Sequence, residues 1–242
     1  MAVELAPQRS SLLGVGLYSI PEAAHYIGAT PRTVHRWFEG YEFGHDDTAR
    51  FSPPIISPEV GCVDGEPVVT FLDFIELRFI ALFHQHGVSL HVIRSAAASA
   101  ARLFRTKHPF AVRRFDTDGD TIFATLRRED APPDADRAKY MQELTQGQYV
   151  FDELVHPYLK ASVDFDIEFA SRYWPLGRDA RVVMDPTRAF GKPIDAPTRV
   201  PTRLLYLASD QGNRMEDAAR TYDVPLEAVA RAVTFEASFG GT

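Results

Sequence analysis

A single cysteine, Cys62, in 242 residues excludes an intrachain disulfide and any zinc site built from several thiolates. Without a disulfide framework, the expected home is the reducing cytoplasm. Long apolar runs are missing too. No stretch reaches the ~18 residues that a membrane span needs, and MAVELAPQRSSLLGVG lacks the basic start and long apolar run of a secretory signal. There is no phosphate-binding glycine loop, nucleophile elbow or paired-histidine helix. Enzyme chemistry therefore has no motif behind it, although Asp164, Asp166, Glu168 and Asp185 are candidate acids. Excess positive charge is also absent. The net charge of −7 argues against a molecule that coats nucleic acid indiscriminately.

The charge is uneven along the chain. Residues 1–115 carry 11 basic and 11 acidic side chains, so the whole net charge of −7 lies in residues 116–242. A neutral front and an acidic back suit a DNA-facing half and a protein-facing half, and equally two ordinary domains.

The most informative stretch is SIPEAAHYIGATPRTVHRWF, Ser19 to Phe38. Ser19 with Glu22 three residues on is a capping box, and Pro21 suits the first helical turn. Ile20, Ala23, Ala24 and Ile27 form one apolar face. Gly28 suits a left-handed helix end, then Thr30 and Pro31 open a second helix. Val34, Trp37 and Phe38 are its core side, which leaves Arg32, Thr33, His35 and Arg36 outside. A helix-turn-helix lays its second helix in the major groove. Arg32 and Arg36 lie one turn apart, and arginine can read a guanine edge or hold a phosphate. An ordinary helical hairpin has the same pattern.

Gly-, Pro- and Asp-rich residues 41–67 follow, without helical periodicity. Arg50 and Phe51 suit a short strand, either in a wing with Arg50 as phosphate contact or in a plain surface loop. Residues 70–105 read as two helices broken at Gly87 and recapped at Ser89. The first is apolar all round, which places it centrally or in a subunit interface. From Leu77 to Phe115 there are seven basic residues, Arg78, Arg94, Arg102, Arg105, Lys107, Arg113 and Arg114, and no acid. This run is either a DNA-side patch or a solvated face.

Residues 110–126 read as a hairpin turning at Asp118–Gly119. The spacing of Asp116, Asp118 and Asp120 is similar to the start of a calcium loop, but Thr121 and Arg127 occupy positions that need Gly and Glu. The Pro-rich RREDAPPDADR, 127–137, is the best linker. Short helices near 138–146 and 149–160 follow. Val163 to Tyr173 alternates like one half-buried strand, with Asp164, Asp166 and Glu168 on its wet face. ARVVMDP reads as a strand ending in a turn, and Thr202 as a helix cap. Residues 214–235 form a second helix pair around Asp223–Val224–Pro225. Its outer positions, Glu227 and Glu236 beside Arg231, would repel phosphate and suit protein contact.

With these segments in view, LYSIPEAAHYIGATPRTVHRWF, the wing-like segment and TFLDFIELRFIALF resemble the MerR-like DNA-binding domain of VapB-type antitoxins. VVMDPTRAFGKPIDAPTRVPT with MEDAARTYDVPLEAVARAVTFE resembles the small helical domain, of unknown function, found in the same proteins. The resemblance implies an antitoxin of a type II toxin–antitoxin pair that blocks a PIN-domain ribonuclease and represses its own operon. It implies readout by Thr30, Arg32, Thr33, His35 and Arg36, with Arg50 on the wing.

The expected fold is mainly α with small β elements, an α+β chain. A winged helix-turn-helix domain with a helical extension covers 1–126, and a linker covers 127–148. A helical C-terminal domain with a short hairpin, for toxin binding or oligomerisation, covers 149–242. A homodimer is expected, since one recognition helix reads little DNA. No cofactor, metal or membrane is called for. The rival class is a one-component regulator that senses a small molecule in its C-terminal half, with Cys62, His84, His86 and His91 as remote metal candidates. An enzyme is the third class.

Overall fold

The computed structural model describes residues 14–44, 50–129 and 137–240. They mix helix and short strands and divide into two compact units. Among the described residues, the larger unit runs from Ser19 to Tyr173, and the smaller joins 14–18 with 174–240. The linker was expected in the Pro-rich stretch, but the division between units falls at Tyr173–Trp174.

After a short strand β1 (Leu17–Ser19), the larger unit opens with α1 (Ile20–Ile27) and α2 (Pro31–Glu39). Two hairpins follow, β2 (Tyr41–Phe43) with β3 (Arg50–Ser52), and β4 (Gly61–Val63) with β5 (Glu66–Thr70). Helix α3 (Phe71–Gln85) starts at a Thr70–Asp73 capping box and is buried on every side, so it is the axis of this unit. Helix α4 (Leu90–Phe104) starts at Ser89, as the spacing predicted.

The hairpin expected at 110–126 is instead helix α5 (Arg113–Glu129). Phe115, Ile122, Phe123 and Leu126 recur at helical spacing and are all buried. Gly119 is not a turn residue. A Cβ there would lie 2.0 Å from the Phe151 ring, so the glycine makes room for that ring. The extended character of the residues before α5 is real but is satisfied elsewhere: Val112 pairs with Phe169, and the Arg113 amide donates to the Glu168 carbonyl at 2.7 Å. Helix α6 (Arg137–Val150) packs on α5 and continues through a π-helical turn at Phe151–Val155 into α7 (His156–Ser162). Of the expected linker, 130–136 lies outside the described residues, and its flanks are helical.

The single strand expected at 163–173 is a hairpin, β6 (Val163–Asp166) and β7 (Phe169–Tyr173). Ile167, at φ 54, sits in the turn and is 88% exposed, which breaks the alternation expected of a single strand. An aromatic core joins these parts, with Phe115 4.9 Å from Phe110 and 5.1 Å from Phe151.

The smaller unit pairs β8 (Val182–Met184) with β9 (Pro193–Asp195) and adds α8 (Thr202–Ala208), α9 (Met215–Tyr222) and α10 (Leu226–Phe239). Leu205, Ala218, Ala228, Val229 and Ala232 are its core. Tyr18 is tied in by a 2.7 Å bond from its hydroxyl to the Gly191 carbonyl. Thr202 does not cap α8; its hydroxyl donates to the Pro193 carbonyl and meets the Glu236 carboxylate at 2.5 Å. Glu236 is therefore buried rather than outward, because α10 turns it toward α8. Arg231 also points inward, with Nε 2.7 Å from the fully buried Asp195.

Candidate nucleic-acid interface

Local chemistry alone builds the α1–α2 pair. The Ser19 amide donates to Glu22 at 2.9 Å, and the Glu22 amide returns a bond to the Ser19 hydroxyl at 3.3 Å. Gly28 ends α1 at φ 76 in the left-handed region. Thr30 accepts from the Thr33 amide at 3.1 Å and so caps α2. Ile20, Ala23, Ala24 and Ile27 of α1 and Val34, Trp37 and Phe38 of α2 are all buried. The pair is fastened to α3, where the Trp37 ring meets His84 edge-on at 5.9 Å and Gln85 donates to the Gly28 carbonyl.

This packing leaves Thr30, Arg32 and His35 exposed and Thr33 and Arg36 half-buried. The face is not uniformly available. The Thr33 hydroxyl is 2.8 Å from that of Thr30, and His35 faces Glu39 at 3.0 Å. Arg36 lays its guanidinium over the Tyr41 ring at 4.6 Å, which holds the side chain extended along the end of α2. Arg32 has no such tether among the described residues and is the freest cation of the set.

The β2–β3 hairpin follows α2 directly. Gly40, at φ 81, permits the turn, and a Cβ there would come within 2.6 Å of the Ser52 carbonyl. Tyr41 pairs with Ser52 and Phe43 with Arg50. Arg50 is exposed, beside Phe43 and Phe51, which are 47% and 60% exposed. Residues 45–49 between the strands lie outside the described residues.

The basic run does not form one patch. Arg78 donates to the hydroxyls of Tyr158 and Tyr173 at 3.3 and 3.1 Å. Burial raises the pKa of Tyr173, so its hydroxyl stays protonated. Arg94 donates to the Ser52 hydroxyl at 2.7 Å, Arg113 to the Phe165 carbonyl at 2.9 Å, and Arg114 lies over the Phe104 ring. Arg102 in the last turn of α4, with Arg105 and Lys107 just after it, forms an exposed group.

Sequence reasoning missed the polar groups that set the scaffold. Asp73 is fully buried and accepts from Thr70 at 3.1 Å and from the Glu59 amide at 3.2 Å. His108 lies 3.8 Å from it. Burial raises the Asp73 pKa and lowers that of His108, which disfavours charge on both. Glu76 accepts from the amides of Phe110 and Ala111 at 2.6 and 3.0 Å, and burial raises its pKa well above the carboxylate range. A carboxylate on a helix this apolar was the available signal: such a group must find partners inside.

The rival sites do not assemble. Among the described residues no group of three or more His, Cys, Asp or Glu is placed to hold a metal ion. His84 packs on Trp37, His91 on Tyr140, and Cys62 is exposed on β4. Asp164 and Asp166 lie along β6 and Glu168 in the following turn, while Asp185 accepts from Thr187 at 3.0 Å to fix its own turn. No helix among the described residues is long and apolar enough to cross a membrane.

No family model matches the chain. It is similar to the Mycobacterium tuberculosis protein named "Putative antitoxin VapB45", with 30% identity over 199 residues, which cover 74% of this chain and 77% of that protein. It is also 25% identical over 240 residues to Rv2308 of the same organism, covering 93% and 92% of the two chains. The crystal structure of Rv2018 from Mycobacterium tuberculosis superposes with a TM-score of 0.68, over 91% of this chain and 99% of that one. At 23% identity that likeness carries the fold alone.

Proposed function

This chain belongs to the VapB45 antitoxin family, and from that premise we propose that it is the antitoxin of a type II toxin–antitoxin pair, which binds a PIN-domain ribonuclease toxin and represses its own operon. The DNA-binding part is a MerR-like winged helix-turn-helix. Helix α2 enters the major groove, and β2–β3 is the wing.

One observation carries the DNA reading. The capped N-terminal end of α2 presents Thr30, Arg32, Thr33, His35 and Arg36 while its other face is buried, and Arg50 projects from the adjoining hairpin. Arg32 is the base-reading candidate, because its side chain is unspent. Arg36 positions along the phosphate or the groove wall from its perch on Tyr41. A homodimer supplies a second recognition helix. The smaller unit engages the toxin, and no catalytic step is assigned to either unit.

A pull-down with the full chain as bait from its native cells tests the partner. A stoichiometric small nuclease of the PIN type is expected, and no protein partner would defeat the antitoxin reading. Gel-shift titration with DNA upstream of its gene tests the reader. Arg32→Ala is expected to weaken binding by about 1–3 kcal/mol. Unchanged binding by both Arg32→Ala and Arg36→Ala would defeat the placement of α2 in the groove.

A further inference from the structure

A second binding feature lies in the larger unit, away from the exposed face of α2. A pocket of about 260 Å³ opens between Pro54–Ser57 after β3, the Ala97–Ala98–Ala101 side of α4, and Lys107–Pro109. That volume is just under the ~300 Å³ at which sites for drug-sized ligands begin, so an occupant is small.

Its polar groups are few and only partly spent. Arg94 lines the pocket, and its Nε is buried with no hydrogen-bond partner. Its Nη2 already serves Ser52 and Pro53. Lys107, also lining the pocket, is exposed and makes no ion pair among the described residues. Glu76 forms part of the wall. Both of its bonds, from the Phe110 and Ala111 amides, fall on Oε1, which leaves Oε2 unused. Burial without a cation favours the protonated carboxyl, which can donate to a ligand oxygen. Apart from Ser57, the remaining surface is alanine, proline and isoleucine. Two cations and a neutral acid around an apolar lining match a small anion with an aliphatic body.

We propose that this pocket binds a small aliphatic carboxylate, its head received by Arg94 and Lys107 and its tail laid on Ala97, Ala98, Ala101 and Pro109. Occupancy is transmitted to the hairpin. Arg94 holds Ser52, Ser52 pairs with Tyr41, and Tyr41 carries the guanidinium of Arg36. A carboxylate that draws on Arg94 therefore acts three contacts from the face assigned to DNA. Binding itself is independent of the antitoxin reading; only its effect on DNA rests on that reading.

The test is titration of the isotope-labelled full chain with octanoate, followed by amide and arginine Nε NMR. Saturable shifts are expected at Ala97, Ala98, Ala101 and the Arg94 Nε, with smaller ones at Ser52 and Tyr41. Neutral octanamide is expected to bind at least about tenfold more weakly, for want of a charged head to bond. Arg94→Gln should weaken octanoate to a similar degree. Ala98→Phe, which fills the pocket and leaves Arg94 in place, should abolish the shifts while the rest of the spectrum is unchanged. No saturable shift, shifts confined to other surfaces, or equal binding of octanamide would overturn the proposal. Because the readout contains neither DNA nor toxin, its failure leaves the antitoxin reading standing, and failure of that reading leaves the pocket standing.

Discussion

The chain contains two helix pairs of similar local grammar, α1–α2 in the larger unit and α9–α10 in the smaller, and they spend their charges differently. Both pairs reverse at a left-handed residue, Gly28 in one and Asp223 in the other. Thr30 caps α2 with its side chain, while α10 begins at Pro225 without a side-chain cap. On α2 the apolar residues take the whole inner face and the arginines stay outside. On α10 the arginine and the glutamate are drawn in, Arg231 by Asp195 and Glu236 by Thr202. Charge that holds a fold together is not free to meet a partner. The same pattern of letters thus yields an outward cationic face in one place and an internal strut in the other.

The buried acids differ in the same way. In the smaller unit Asp195 is met by a guanidinium and by Thr198. In the larger unit Glu76 is met by backbone amides alone. Burial without a cation raises the pKa of Glu76, which leaves its carboxyl easier to protonate.

The largest expected effect breaks the strut. Arg231→Ala leaves Asp195 buried without its cation and should cost about 3–5 kcal/mol in denaturant unfolding. An equally stable variant would show that the pair is dispensable. Gly119→Ala drives a methyl into the Phe151 ring and should cost about 1–3 kcal/mol, against the gain that alanine normally brings to a helix. A more stable variant would show that the Phe151 ring does not fill the space beside this helical glycine.

Arg36→Ala sharpens the contrast from the other side. It should weaken operator binding by about 1–3 kcal/mol and leave the unfolding midpoint nearly unchanged, the reverse of Arg231→Ala. Thr30→Ala removes the α2 cap and should cost about 1 kcal/mol of stability, seen as a lower thermal midpoint.

The last effect concerns pH. The folded-state pKa of Glu76 lies above its unfolded value, so the native state holds the proton longer. Its contribution to stability is fully present below the ordinary carboxylate range and is lost as pH rises toward the folded value. Asp73 acts in the same sense, and His108, with its lowered pKa, in the opposite one through its own range. Glu76→Gln should therefore flatten the decline in unfolding free energy between acid and neutral pH. An unchanged pH profile would show that Glu76 is ionised in the fold.

The α1–α2 helix pair was legible because every signal in it is local: cap, proline, glycine and apolar spacing lie within one turn of the residues they govern. The hairpin reading of 110–126 failed because a local Asp-Gly signal competes with a distant ring, Phe151, that needs the glycine's empty side. Glu236 was misplaced for a related reason. Helical spacing gives a direction around an axis, and only packing against α8 says which direction is inside.

By itself the sequence determined the capped α1–α2 pair, the apolar axis helix and the exclusion of an intrachain disulfide, since these follow from composition and short-range bonding. Tertiary structure alone decided which arginines are free. Arg32 is left outside, whereas Arg78, Arg94 and Arg231 are claimed by tyrosines, a serine and an aspartate far along the chain. A guanidinium reads its surroundings only after folding has brought acceptors within bonding distance.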